Sequence, residues 1–261
     1  MTAPEPRRPP LDRSAVADVT GYWRVDVLQE TASTNVDLAG RARAGEPAGL
    51  VLVAEHQTSG RGRLDRTWEA PARAGLTFSV LLRPAAEAEQ WPWLPLVAGL
   101  ATLRGVRRAS GLPGVALKWP NDVLLGGAKV AGILLERVET DEGAAAIAGI
   151  GINVSTTPDE LPVPTATSLA IAGAEVDRAV LLTAVLAELP GLLELWELGT
   201  DELRAAYVAE CDTLGQVVEV SLPSGETLTG RAVGIDEQGR LDVETASGRT
   251  AVGAGDVVHV R

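Results

Sequence analysis

The stretch AEHQTSGRGRLDRTW, residues 54–68, places Arg61, Arg63 and Arg66 within six positions, with Gly60 just before them and Gly62 among them. Guanidinium groups grip carboxylate or phosphate through two parallel hydrogen bonds. Glycines let the backbone approach a ligand closely and turn successive N–H groups toward an anion. The chemistry on offer is local neutralisation of negative charge. A solvated turn laced with ion pairs has the same composition, so the stretch alone leaves both readings open. It is not a P-loop, because no G-x-x-x-x-G-K-[ST] run occurs in the chain.

Two further stretches carry chemistry of the same kind. In KWPND, residues 118–122, Lys118 ends an apolar run and Pro120 forces a break before Asn121 and Asp122. Side-chain oxygens beside a phosphate can hold magnesium, although P-N-D read by itself is first a favourable β-turn. In AKVAGILLE, residues 128–136, Lys129 stands inside an apolar run. Strict alternation puts Lys129, Ala131 and Ile133 on one face and Val130, Gly132 and Leu134 on the other. Such a lysine either protects a sheet edge or stabilises charge on a transferring group.

These residues need a scaffold, and the hydrophobic patterning predicts one. Strands are expected at GYWRVDVLQE, GLVLVAEHQ and GLTFSVLLRP, on either side of KWPND, and at AAAIAGIGINV. Gly126-Gly127 reads as a hairpin turn. Helices are expected over 33–45, capped by Ser33 or Thr34, over 91–110, over 176–198 with an interruption at Pro190, and over 201–212. After Gly215 the chain becomes short strands broken by glycine turns, the spacing of a small antiparallel barrel. The expected organisation is a disordered tail at 1–20, a large domain at 21–212 and a small domain at 213–261.

Composition narrows the partners. The formal charge is −12, which argues against nucleic-acid binding, since that requires basic surface. No apolar run of about 18 uncharged residues is present, so no membrane span is expected. A lone cysteine, Cys211, excludes an internal disulfide, suits the cytoplasm and reads as a packing residue. His56, His259, Trp91 and Trp93 read as structural.

In this order, STN at 33–35, GRGRLDRTW at 60–68, KWPND at 118–122, KVAGILLE at 129–136 and GIGINV at 149–154 closely resemble the biotin protein ligases. The resemblance implies an α+β fold: a mixed-sheet catalytic domain related to class II aminoacyl-tRNA synthetases and lipoate ligases, then an SH3-like β-barrel. It implies a two-step reaction in which biotin and ATP, with Mg2+, give biotinyl-5′-AMP, and a lysine of a biotin carboxyl carrier protein domain then displaces AMP. Bringing a carboxylate against a triphosphate costs about 4 kcal/mol at about 4 Å and an effective dielectric near 20, which explains the arginine loop in an acidic chain.

By motif, the resemblance assigns catalysis to Lys129 and Arg63. It assigns biotin contacts to Ser33, Thr34, Asn35, Gln57, Gly60, Arg61, Trp68, Lys129, Gly132, Leu134, Gly149 and Gly151. Nucleotide contacts go to Arg61, Arg63, Arg66, Lys118, Asn121, Asp122 and Asn153, with Asp122 as the one metal contact through ATP. The segment after GIGIN carries no aromatic residue to cover adenine. Some relatives carry an N-terminal DNA-binding domain; residues 1–20 are too few for one, so a ligase without that role is expected, as monomer or weak homodimer. The alternatives are a lipoate or octanoyl attachment enzyme, expected to have a pocket for a thin acyl chain, and a non-catalytic biotin sensor, which would need fewer cations.

Overall fold

The computed structural model describes residues 7–17, 21–222, 225–253 and 255–260. The elements run α1 (Arg13–Ala17), β1 (Arg24–Leu28), α2 (Thr34–Arg43), β2 (Leu50–Ala54), β3 (Gly60–Arg61), β4 (Thr67–Trp68) and β5 (Gly75–Leu82). There follow α3 (Leu94–Ser110), β6 (Val115–Lys118), β7 (Asp122–Leu125), β8 (Ala128–Thr140), β9 (Gly143–Asn153), α4 (Arg178–Glu197) and α5 (Asp201–Glu210). Last come β10 (Val217–Ser221), β11 (Thr227–Ile235), β12 (Leu241–Thr245), β13 (Gly248–Val252) and β14 (Asp256–His259).

Seven strands form one sheet in the order β1-β2-β5-β9-β8-β7-β6. Only β1 and β2 run parallel within it. Alternation along the strands sorts side chains between two layers. Phe78, Val80, Ile133, Ala148 and Ile150 join the main core with α3 and α4. Leu52, Leu81, Val138, Ala145 and Ile147 face the other way and pack under Leu38 and Ala42 of α2. The fold is therefore mixed α+β, followed by a five-stranded antiparallel C-terminal domain, order β13-β12-β11-β10-β14, of the SH3-like kind. Its 236–239 turn is held by two indoles: Trp93 Nε1 donates to Glu237 O (2.8 Å) and Trp119 Nε1 to Gly239 O (3.0 Å).

Several expectations need correction. Pro190 does not interrupt α4. A proline removes the N–H that would serve the carbonyl four residues back; here Trp23 Nε1 donates to Leu186 O instead (2.9 Å). α4 is long and apolar enough to pass for a membrane span by length and composition, but half of that window is buried against the rest of the protein, as for the core helix of a globular fold. Residues expected in a disordered tail are seated: Leu11 is buried, its N–H donates to Glu55 Oε1 (2.6 Å), and Arg178 Nη2 donates to Pro9 O (2.7 Å). The signal was hidden because the anchor is a buried ion pair far along the chain, Arg178 to Glu55 at 2.7 Å. Residues 1–6 and 18–20 of that expected tail lie outside the described residues.

Candidate functional site

The cleft lies where α2 stops covering the sheet. Under the helix, the α2-facing positions of β5, β8 and β9 are Leu81, Val138 and Ile147; beyond its N-terminus they shrink to Ser79, Thr77, Gly132, Gly149 and Gly151. The sheet there becomes the floor of a cleft of about 790 Å³, counted to its open mouth. A side chain at Gly151 would sit 2.4 Å from the Trp68 ring, and one at Gly149 would sit 2.2 Å from Asn35 Oδ1. Glycine is thus required at both positions for the cleft to exist. The Trp68 indole N–H is buried over Gly151 and has no hydrogen-bond partner.

One end of the cleft is polar. Ser33 caps α2 without any side-chain bond. Gln57 takes over that work: its Oε1 accepts from the Thr34 N–H (2.7 Å) and lies 3.0 Å from Thr34 Oγ1. Ser79 Oγ lies 2.5 Å from Asn35 Oδ1 and 2.7 Å from Thr34 Oγ1. Ser33, Thr34, Asn35 and Ser79 are all buried, and such a hydrogen-bonding pocket discriminates against ligands lacking matching groups.

Lys129 reaches the cleft by breaking the alternation expected of its strand. On β7, Val123 pairs with Ala131 but Leu124 pairs with Lys129, so β8 carries one extra residue at this point. A bulge of this kind re-aims a side chain, and it brings Lys129 onto the face of Gly132 and Leu134 rather than that of Ala131 and Ile133. Its ammonium forms an ion pair with Asp122 Oδ1 at 2.6 Å, without an aligned hydrogen bond, and lies 5.9 Å from the Trp68 ring centroid. The backbone of Lys129 is clamped: its N–H donates to Thr165 O and its carbonyl accepts from Thr167 N–H, both at 2.8 Å.

The arginine loop forms the rim. Leu64 and Asp65 hold φ of 54° and 57°, a left-handed conformation that costs a non-glycine residue energy. Arg61 Nη1 donates to Glu136 Oε1 (3.0 Å). Arg63 donates to Asn121 Oδ1 (2.9 Å) and Gly255 O (3.2 Å). Burial lowers the pKa of Arg63 from its ordinary value against the opposing charges of Asp122 and Asp256. Arg66 pairs with Asp256 of β14, and that hydrogen bond raises its pKa.

Of the residues singled out from the sequence, fifteen line this cleft: Ser33, Thr34, Asn35, Gln57, Arg61, Arg63, Arg66, Trp68, Asn121, Asp122, Lys129, Gly132, Leu134, Gly149 and Gly151. Three do not. Gly60 pairs with Trp68 in the short β3–β4 hairpin, where a side chain would meet Trp68 O at 2.3 Å. Lys118 ends β6, and its charge helps to lower the pKa of Asp256. Asn153 is buried, and its Nδ2 donates to Thr167 O (3.0 Å), the segment that clamps Lys129. Sequence reasoning missed Ser79, Glu136 and Asp256. Ser79 could have been found by its parity with Leu81; the other two are brought in by tertiary pairing alone. His56 meets Glu30 (3.0 Å) on the surface, and burial pushes the Cys211 thiol up from its ordinary value, as a packing role requires.

Among the described residues no three His, Cys, Asp or Glu side chains cluster to hold a metal. Asp122 is a single carboxylate, which fits magnesium bound chiefly through phosphate oxygens and water.

Comparisons with known proteins agree with this geometry. The biotin/lipoate A/B protein ligase family matches residues 27–153, and the biotin protein ligase C terminal domain matches residues 213–260. A biotin–[acetyl-CoA-carboxylase] ligase of Mycobacterium tuberculosis is 42% identical over the whole of both chains. A bifunctional ligase/repressor BirA of Bacillus subtilis is 34% identical over 89% of this chain and 72% of its own. The solved biotin protein ligase of Aquifex aeolicus in complex with biotin and ATP superposes with a TM-score of 0.77 at 32% identity, over 91% of this chain and 98% of that one.

Proposed function

The chain belongs to the biotin protein ligase family, and on that premise we propose how its cleft divides the work. The protein is an ATP-dependent ligase that joins biotin to the carrier protein of a carboxylase. In the first step a biotin carboxylate oxygen attacks the α-phosphorus of ATP, the bond to the β-phosphate breaks and diphosphate leaves. In the second, a lysine amine of the carrier attacks the acyl carbon of biotinyl-5′-AMP, loses a proton, and AMP leaves.

The observation that carries the assignment is the run from polar pocket to cations. Thr34, Asn35, Gln57 and Ser79 suit the ureido ring; a thin acyl chain would have no use for these four polar groups, three of them buried, which disfavours a lipoate or octanoyl substrate. The glycine floor and Trp68 flank the valeryl chain. Lys129 then stands where the carboxylate meets the α-phosphorus. Its charge offsets repulsion between the two anions and stabilises the negative charge that grows in the transition state. Arg61, Arg63 and Arg66 grip the phosphates from the rim, and Asn121 supports Arg63. Magnesium bound to ATP would screen its phosphates, and Asp122 is the residue that would help to hold it.

The acceptor is a biotin carboxyl carrier domain, the enzyme works in the cytoplasm as a monomer or weak homodimer, and the charge of −12 leaves it no role on nucleic acid. Incubation with labelled biotin, magnesium-ATP and a carrier domain tests the reading. Label should become covalently attached to the carrier lysine; no attachment by well-folded protein would overturn it.

A further inference from the structure

Glu136 sits on β8 with its carboxylate shared between two parts of the cleft. Oε2 accepts from Asn35 Nδ2 (2.8 Å) and Oε1 accepts from Arg61 Nη1 (3.0 Å). Asn35 belongs to the buried polar end, Arg61 to the rim, and Glu136 is the side chain that touches both. An ionised carboxylate accepts hydrogen bonds and donates none. Facing Asn35, it therefore fixes the amide the one way round that points Nδ2 at Glu136. Asn35 Oδ1 is then turned to Ser79 and to the space beside Gly149, where it lies 2.2 Å from the position of an added Cβ. A neutral partner would hold that orientation less firmly, leaving the more distant Leu134 O (3.4 Å) as the remaining fixed acceptor for Nδ2.

We propose that Glu136 is a positioning residue for biotin recognition: it holds Asn35 with its carbonyl oxygen toward the slot, as acceptor for a ureido N–H, and ties Arg61 of the loop to that same end. This rests on the biotin reading of the cleft. The Asn35 bond is the stronger half, because Asn35 is buried, whereas Arg61 is half exposed and its ion pair is weakened by solvent. Glu136 touches no reacting atom, so its removal acts on biotin affinity before turnover.

The test is a polarity swap. Glu136→Gln leaves one acceptor oxygen for two donors, so its N–H either opposes Asn35 Nδ2 or releases Arg61 from the pocket, and Asn35→Asp places two carboxylates face to face. Joined, Asn35→Asp and Glu136→Gln rebuild the bond in reverse: the amide introduced at position 136 donates to the carboxylate introduced at position 35, and its oxygen still accepts from Arg61. Biotin affinity by calorimetry and the biotin KM in pyrophosphate exchange should worsen about tenfold in each single variant, as for loss of a hydrogen bond to a charged group. The KM for magnesium-ATP should move far less, and the double variant should recover to within about threefold of wild type. Unchanged biotin affinity in Glu136→Gln, or a double variant as poor as the two defects multiplied, would overturn the proposal. Thermal unfolding of all variants separates general destabilisation, which the swap would not rescue. If wild type itself binds no biotin, the reading of the cleft falls; if wild type binds and Glu136→Gln binds equally, only the role of Glu136 falls.

Discussion

The Lys129 ammonium lies 2.6 Å from Asp122 Oδ1 on the neighbouring strand, because the bulge in β8 puts both side chains on the floor side of the sheet. In the proposed role, the cation is thus already paired and aimed before substrates arrive. An incoming carboxylate and α-phosphate take a share of a charge that is in place, and no reorganisation is needed at the moment of reaction.

Lys129→Ala removes that charge while leaving the strand intact. Biotin-dependent pyrophosphate exchange should fall by about 10²- to 10³-fold, the scale of losing one transition-state charge partner. The paired Asp122 Oδ1 is buried, but Lys129 is itself about one-third exposed, so its truncation opens Asp122 to water, and circular dichroism and the unfolding midpoint should stay near wild type. Near-normal exchange would remove Lys129 from the chemistry.

Asp256 reaches the loop from the C-terminal domain and pairs with Arg66, the residue placed on the triphosphate. Burial works to raise the pKa of its carboxyl, but the Arg66 hydrogen bond and the charges of Arg66, Lys118 and Arg63 outweigh burial and hold it below the ordinary value. The carboxylate therefore competes with phosphate at any pH where the enzyme works. Asp256→Ala should lower the KM for magnesium-ATP a few-fold, with little change in stability, since an exposed pair contributes at most about 1 kcal/mol. Steady-state kinetics at varied ATP decide it; a raised KM would mean that Asp256 orders the loop productively.

Most of the scaffold was legible because strand alternation and turn glycines are local signals. GLTFSVLL and GIGIN predict strands, and Gly126 and Gly127 both take the positive φ of a hairpin turn. The site was legible as motifs, and fifteen of their residues meet in one cleft. Three kinds of information were not local. The bulge that aims Lys129 depends on how β7 pairs with β8. Continuation of α4 through Pro190 depends on Trp23. The contributions of Glu136 and Asp256 depend on partners 75 and 190 residues away in the chain.

The seated N-terminal segment makes a pH-dependent contribution. Arg8 donates to both oxygens of Glu160, and this hydrogen bonding lowers the Glu160 pKa from 4.5 to about 2. A carboxyl depressed on folding stabilises the folded state above its unfolded pKa and loses that contribution as pH falls through the folded one. The contribution of this pair is therefore complete above about 4.5 and declines between 4.5 and about 2. Urea unfolding of wild type and Glu160→Gln should show a stability difference that is constant near neutrality and shrinks across that window. A difference that persists undiminished at the acid end would break the assignment.

Asn153 separates two roles that the sequence could not distinguish. As a nucleotide contact, its loss would raise the KM for ATP. In the structure its Nδ2 instead holds Thr167 O, and Thr167 N–H holds the Lys129 carbonyl. Asn153 also accepts the Leu169 N–H on its own backbone oxygen, so a side-chain substitution loosens this segment at one point without releasing it. Asn153→Ala leaves a buried carbonyl without its donor, a loss of about 1–3 kcal/mol, and frees Lys129 to drift from the position in which its charge matters. Small displacements of this kind reduce turnover more than binding. Pyrophosphate exchange by Asn153→Ala should show a kcat reduced by about tenfold or more with KM values for biotin and ATP close to wild type. The opposite split, kcat retained and the ATP KM raised, would return Asn153 to the adenine site.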